Sequence, residues 1–519
     1  MNYLLRVLNV RRNEVPRLLL ASAVFFLAQV DDGIVKSVSS AVFNVRAGVE
    51  KLPLMYTWIA VVFSLSMAFL SWLTSKVARQ RLLLGLMVFV ASVLTANALL
   101  LLYEHRSAVG LGMQAYSFLF ISSELARTLM NFQIWIVAGG ICYTSRAKVL
   151  FPLLASSAVL GDIAGGFTVQ LLSGLFAAHV LYALAVGNMV VVLFLLRLLL
   201  RRYFVVQDES EDGAGASMGE NIRFFVRSPY LILLFILSVA VFALYTAIHY
   251  GFNVLGRQHF STEAEITEFF GLFFGLTGIA TLFVTTFLLQ RLLRWLGTRN
   301  IYLWVGLVYA LVVGLLLGAF ENAFPIPIIA AIFAGNLLNY VLLDSVIAPA
   351  YQVLIKLVPA RNSDGTRMIM EGGFMLLGGL AGAGITSLHA DGTLNLSELL
   401  IALIALAGGM VVCGVLLRKS YTDVLVRAVR EQNFDLEDEQ AMQSLRGLIA
   451  HSPDFSRDLL LHRDDGVRRL GIEMLRENPG PAGELVCVEL LVHDNPRIRA
   501  AALSALRPTR ASNRASGFS

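Results

Sequence analysis

The residues able to do chemistry in this chain sit inside apolar sequence. From Arg17 the chain runs through Leu18-Leu19-Leu20 and Val24-Phe25-Phe26 to Val30; then Asp31, Asp32 and Lys36 intrude before apolar character resumes to Phe43. At ~1.5 Å per residue, Asp32 falls ~22 Å into a helix begun at Arg17, well within a hydrocarbon slab ~30 Å thick. An ionisable group at that depth costs roughly 2.5–3.5 kcal/mol on insertion scales, so it is expected to face a partner or a water-filled cavity. Further groups recur in the same setting: Glu124 with Arg127, Asp162, His249, Asp344, and Arg367 with Glu371. The chemistry open to them is ion pairing, proton exchange and recognition of a charged solute. Asp32–Lys36 and Arg367–Glu371 stand at i,i+4 and Glu124–Arg127 at i,i+3, so each pair can also neutralise itself on one helix face. His249, one turn after Tyr245, reads equally as a proton relay or as a satisfied interface histidine. Asn336, Tyr340 and Asp344 form a polar stripe at i, i+4, i+8, which favours lining a path over contact with lipid.

The elements that carry these groups follow from composition. Of 519 residues, 57% are hydrophobic and 15% charged, with a mean hydropathy of +0.71. A soluble protein of this size lacks the polar surface for that, so the chain is expected to be a polytopic, all-α membrane protein. Apolar runs at 16–43, 53–75, 82–103, 109–142, 151–176, 179–200, 229–256, 267–290, 300–320, 325–357, 367–389 and 395–417 predict about twelve spanning helices. Basic residues cluster in alternate loops, for example Lys76, Arg79 and Arg81 after the second run and Arg291, Arg294 and Arg299 after the eighth. That asymmetry predicts an inner-membrane protein with both termini in the cytoplasm. The start, Met1 to Arg6, lacks a cleavage site and reads as an amphipathic surface helix. The net charge of +5 is too small and dispersed for nucleic acid. Cys142, Cys413 and Cys487 offer no metal-ligand spacing and read as small buried hydrophobes. No cofactor is expected, and no nucleophile–base spacing points to an enzyme.

Domain organisation is read from linkers and repeats. The acidic run Asp208-Glu209-Ser210-Glu211-Asp212, followed by small residues, is a flexible linker within 203–227. It separates six-helix halves at 1–202 and 228–420. A short echo supports the division: Phe43-Asn44-Val45 closes the first run and Phe252-Asn253-Val254 the seventh. Six plus six around a central loop is the major facilitator layout, with a midplane site between the halves. There the lining helices are mainly one, four, seven and ten, with five and eleven beside them, and the buried charges fall on those helices. Asp32, Lys36 and His249 belong to an outer polar cluster, with Asp162 near the middle and Asp344, Arg367 and Glu371 in an inner cluster; the two clusters are expected to gate alternately. Glycines at 161, 165 and 166, at 271, 275 and 278, and between 372 and 384 mark close helix packing. Beyond 420, Leu461 to Arg468 and Val492 to Arg499 align at a constant offset, as in HEAT-like helical repeats over 421–507, with a disordered tail at 508–519.

Three stretches resemble the nucleotide transporters (ATP/ADP translocases) of plastids and intracellular bacteria. The first is Asp32-Gly-Ile-Val-Lys36 followed by Gly48-Val-Glu-Lys-Leu-Pro53; the second is Glu124-Leu125-x-x-Thr128 with Trp135 and Arg146-Ala147-Lys148-x-x-Phe151; the third is Asp344-Ser345. Where that family continues its Asp-Ser into Thr-Lys-Glu, this chain has Val346-Ile347-Ala348-Pro349. The resemblance implies a secondary active transporter of a small anionic solute, of the nucleotide or phosphorylated-metabolite class. Lys36, Arg127 and Arg367, with Glu124, Asn336 and Tyr340, are then the substrate-binding candidates. Asp31, Asp32, Asp162, His249, Asp344 and Glu371 are the coupling or gating candidates. Two alternatives use the same chain: a flippase for lipid or lipid-linked substrates, and a non-transporting scaffold that recruits a cytoplasmic protein through the repeats.

Overall fold

Each apolar run folds as a helix, in the expected order. The computed structural model describes residues 11, 14–203, 218–430 and 480–506, apart from 75–76, 78, 108, 142–143, 297–299, 356–357, 359 and 494, together with isolated positions between 457 and 476. In the first half, α1 spans Val15–Phe43, α2 Leu52–Thr74, α3 Arg79–Ser107, α4 Met113–Ile141, α5 Thr144–Leu172 and α6 Ala178–Tyr203. In the second, α7 spans Pro229–His259, α8 Glu263–Phe283, α9 Ile301–Phe320, α10 Ile328–Leu342, α11 Ala360–Ala390 and α12 Leu396–Arg430. Among the described residues, 10 stretches are long and apolar enough to cross a membrane; one, Val15–Met67, holds both α1 and most of α2.

Local signals set the helix ends. Pro16 occupies the first turn of α1 and Pro229 that of α7, where Ser228 caps the Leu231 amide. Thr262 and Glu265 close a capping box at α8, satisfying two donors that the first turn leaves free. Past Phe43 the chain makes a π turn over Asn44–Gly48, and Gly48 takes a φ of 97°, which a side chain would strain. The chain doubles back there, so that Lys36 of α1 and Tyr56 of α2 line one cavity. Two further π turns lie in the second half: Val284–Leu288 carries α8 on into Leu289–Leu296, and Leu343–Ile347 carries α10 on into Ala348–Ile355. Thr285 donates to Ser345 at 3.1 Å, tying these two turns together.

The packing repeats itself. In the first half α1 packs on α5 and α6, and α3 on α6; in the second, α7 packs on α11 and α12, and α9 on α12. Between the halves α5 packs on α8 and α2 on α11, which is one contact made twice by a pseudo-twofold axis. The expected glycines make these approaches possible. A Cβ added at Gly166 of α5 would lie 2.5 Å from the Gly275 nitrogen of α8, and one at Gly165 would lie 2.4 Å from the Val30 oxygen of α1. Without side chains between them the backbones meet directly, which is how helices gain dispersion contacts where lipid competes for apolar surface. Every residue from Asp31 to Asn44 is buried, whereas the first half of α1 is partly exposed. The bundle is therefore shut around α1 at the end away from the termini.

Three expectations shift. Helix α5 begins at Thr144 and α11 at Ala360, ahead of their apolar runs, because polar first turns also fold as helix. The 203–227 linker is not loose throughout: Met218–Arg227 is a helix, and its buried Asn221 accepts a hydrogen bond from Asn362 at 2.8 Å. The boundary set at 420 falls inside α12. The surface helix expected before residue 11 and the tail at 508–519 lie outside the described residues, as does most of the expected repeat region. From that region the helices Gly480–Leu490 and Pro496–Leu506 are described, packed on one another through Val486, Leu490, Ala502 and Ala505.

Candidate functional site

Between the two halves lies a cavity of about 240 Å³. Lys36 and Ser40 reach it from α1, Glu124, Arg127 and Thr128 from α4, Tyr245 and His249 from α7, Phe274 from α8, and Tyr340 from α10. Helix α2 contributes Tyr56, Ile59, Ala60 and Phe63, and α11 contributes Met375 and Gly379. Helices one, four, seven, ten and eleven line it; helix five, expected beside them, contributes no lining residue, and its Asp162 reaches the site through Lys36. The large share taken by α2 is a departure from that expectation.

The charges form one connected network. Lys36 Nζ donates to Asp162 Oδ1 of α5 at 2.8 Å and stands 3.6 Å from Asp32 Oδ2. Its ammonium also lies 4.3 Å from the centre of the Phe274 ring, a cation–π contact from the other half. Arg127 donates to both oxygens of Asp32, at 3.1 and 3.2 Å, and to Glu124 Oε1 at 2.6 Å. Asn131 adds a bond to Asp32 Oδ1 at 3.0 Å. Asp32 is thus almost wholly enclosed, with 5% of its side chain exposed, and it accepts from α4 on both oxygens. Such bidentate, charge-assisted bonds fix geometry as well as charge. Three carboxylates (Asp32, Asp162, Glu124) meet two cations (Lys36, Arg127). The i,i+4 and i,i+3 pairs read from the sequence exist, but each is also bridged to another helix.

The remaining candidates make no direct bond to this network. Asp31 points the other way along α1: its Oδ1 accepts from Asn188 of α6 at 2.9 Å, and its Oδ2 is buried without a partner. Adjacent residues on a helix lie ~100° apart, so Asp31 and Asp32 cannot both face the cavity. Asn336 is buried behind His249 and 3.2 Å from its Nδ1, within a polar chain that continues to Asn339, Tyr309 and the Tyr245 carbonyl. His249 packs edge-on to Tyr340 at 5.7 Å between ring centres. Arg367 bonds to Glu371 at 2.7 Å and to Gln352 at 2.6 Å and is 46% exposed; Asp344, in the α10 π turn, is exposed too. Arg367 and Glu371 stand apart from the cavity, on the side of the termini; Asp344, outside the lining, is still within electrostatic reach of Lys36, Asp162 and Asp32.

The far end holds a feature that sequence reasoning missed. Asn44, closing α1, donates to Asn253 Oδ1 of α7 at 2.6 Å, and both are buried. They are the central residues of the echoed tripeptides, meeting at the pseudo-twofold axis. Beside them Arg46 forks onto Glu263 of α8 at 2.6 and 2.8 Å and also bonds Glu104 of α3. Arg46 and Glu104 belong to the first half and Glu263 to the second, so this contact clasps the halves together. The available signal was an arginine just past the end of the first helix, and a glutamate opening the eighth. Among the described residues, no group of His, Cys, Asp and Glu is placed to hold a metal.

No protein-family model and no curated protein sequence matches the chain. Its fold is nevertheless shared with solved structures. A mutant of the nucleoside transporter NupG superposes with a TM-score of 0.59 at 14% identity, over 79% of this chain and 99% of that one. The peptide transporter POT, also a mutant, gives 0.57 at 14% identity, over 78% and 94%. A bacterial homologue of the iron transporter ferroportin, in an inward-facing state, gives 0.55 at 15% identity, over 79% and 98%. The all-α, polytopic architecture in two helical halves expected from the sequence is the one observed, and these transporters share its fold.

Proposed function

We propose that the chain is a secondary active transporter that moves a small solute across the inner membrane by alternating access. The supporting observation is a polar cavity between two pseudo-symmetric halves, clasped shut by Arg46, Glu263 and the Asn44–Asn253 pair at the far end. With both termini cytoplasmic, that clasp is the outer gate. Arg367, Glu371 and Asp344 then belong to the inner gate, which closes when the outer one opens.

The ion network supplies a coupling scheme. Lys36 is shared between Asp32 and Asp162, and an anionic group entering the cavity competes with Asp162 for its ammonium. A proton taken up by Asp162 removes that competitor, so anion and proton bind together more readily than either alone. The substrate is therefore a small anion. A nucleotide or phosphorylated metabolite requires both Lys36 and Arg127 to leave their carboxylates, and a single anionic group requires only Lys36 to do so.

Reconstitution tests this. Proteoliposomes containing the protein are expected to accumulate a labelled organic anion when a proton gradient is imposed, and Lys36→Ala or Arg127→Ala is expected to abolish it. Flux that persists in both variants, or no flux of any solute across a broad panel, removes the proposal.

A further inference from the structure

The walls of the cavity say more about its occupant than its charges do. Beyond the ion network, its lining is dominated by rings: Tyr56, Phe120, Tyr245, His249, Phe274 and Tyr340 all reach it. Several are held at mutual edge-to-face angles, Tyr245 against Tyr340 at 5.1 Å and Phe274 against Tyr340 at 5.8 Å between centres. Rings fixed this way present both faces and edges to a guest, the arrangement aromatic groups prefer around another ring.

The volume suits a guest of one ring. An apolar cavity of about 150 Å³ accommodates one benzene molecule, and a water takes up ~30 Å³ of liquid. The 240 Å³ here leaves about 90 Å³ after one ring (240 − 150), room for ~3 water-sized groups. A ring with a carboxylate and one further small group fits within it.

One polar atom in the wall is unspent. The Tyr56 hydroxyl is buried and has no hydrogen-bond partner, although the residue lines the cavity. A buried hydroxyl left unpaired costs about 1–3 kcal/mol, so a guest towards which the Tyr56 ring turns to donate gains affinity that an apolar guest forgoes.

From this combination we infer that the site takes a monocyclic aromatic or heteroaromatic acid, its ring held among Tyr56, Tyr245, Phe274 and Tyr340 and its carboxylate at Lys36 and Arg127. The inference rests on the transporter reading but narrows it to one substrate class. Tyr56, on a helix the charge pattern passed over, becomes a specificity-determining residue.

Binding of matched carboxylates to the purified full-length protein, read by calorimetry, tests it. Benzoate and nicotinate are expected to bind about three- to tenfold more tightly than cyclohexanecarboxylate, which has the same charge and similar bulk but no π face. Tyr56→Phe is expected to weaken nicotinate or benzoate by about fivefold or more, while the melting temperature without ligand stays level or rises, because no bond is lost in the empty site. Equal affinity for cyclohexanecarboxylate and benzoate overturns the inference, and so does a Tyr56→Phe variant that binds both acids as the wild type does. Binding of succinate or a phosphorylated sugar in preference to every ring acid also overturns it but leaves the transporter reading intact. That reading fails only in the flux experiment.

Discussion

Lys36 has two carboxylates within reach, and its loss and theirs are expected to differ. Lys36→Ala leaves Asp162 without its cation, beside an Asp32 held by Arg127 alone, and an uncompensated buried charge destabilises by about 3–5 kcal/mol. Asp162→Asn should be milder, since Lys36 keeps Asp32, and the double variant Lys36→Ala with Asp162→Asn should recover part of the lost melting temperature. If the double variant melts below Lys36→Ala alone, the pairing described here is wrong. Asp31 and Asp32 give a sharper contrast. Asp32→Asn is expected to abolish flux because two Arg127 bonds and one Asn131 bond converge on it; Asp31→Asn is expected to spare flux, because that residue bonds Asn188 behind the helix. At this scale the sequence was half legible. Spacing along one helix exposes the Asp32–Lys36 and Glu124–Arg127 pairs, since helical periodicity is local. That the closer partner of Lys36 is Asp162, 126 positions on, depends on how helices pack, which no local pattern encodes.

At the scale of elements, the clasp and the glycine contacts are what the proposed cycle must break and remake at the far end. Each charge-assisted bond contributes about 1.5–3 kcal/mol. Removing the Arg46 fork by Arg46→Ala should therefore shift the population towards an open far end by roughly tenfold or more. Single cysteines placed near Asn253 would report this as faster alkylation by a membrane-impermeant maleimide added outside; an unchanged rate would mean that Arg46 is not part of the gate. Gly166→Val acts in the same direction by a different cause, since its Cβ would lie 2.5 Å from the Gly275 nitrogen and force α5 off α8. Helix existence and order were readable because the apolar runs are long and bounded by charge. The early starts of α5 and α11 and the π turns were not, because an extra residue in a helical turn leaves hydropathy unaltered. The clasp escaped notice because its members are ordinary loop and first-turn charges until the fold brings them together.

For the whole molecule, the pseudo-twofold axis makes a direct claim. If the halves rock about it, fixing the two residues that meet on it should stop transport without unfolding anything. Asn44→Cys with Asn253→Cys, oxidised to a disulfide, is expected to stop flux, and reduction to restore it; undiminished transport in the cross-linked protein would exclude rocking about this axis. The two-halved plan was visible in a tripeptide, Phe-Asn-Val, that recurs because corresponding helix ends have the same neighbour across the axis. The occupant of the cavity was less visible, since ring type and volume emerge from seven helices at once.

The knotted pair of π turns, Val284–Leu288 and Leu343–Ile347, carries an implication of its own. Each is a spot where a rod has one residue too many to stay straight, and both belong to the second half, on helices facing the pathway. Among the described residues of the first half, such a turn lies at the reversal after α1. If the halves move as proposed, the two lobes divide the labour unequally: one swings as a stiff jaw, while the other flexes at a tied seam that supplies the curvature sealing the inner mouth.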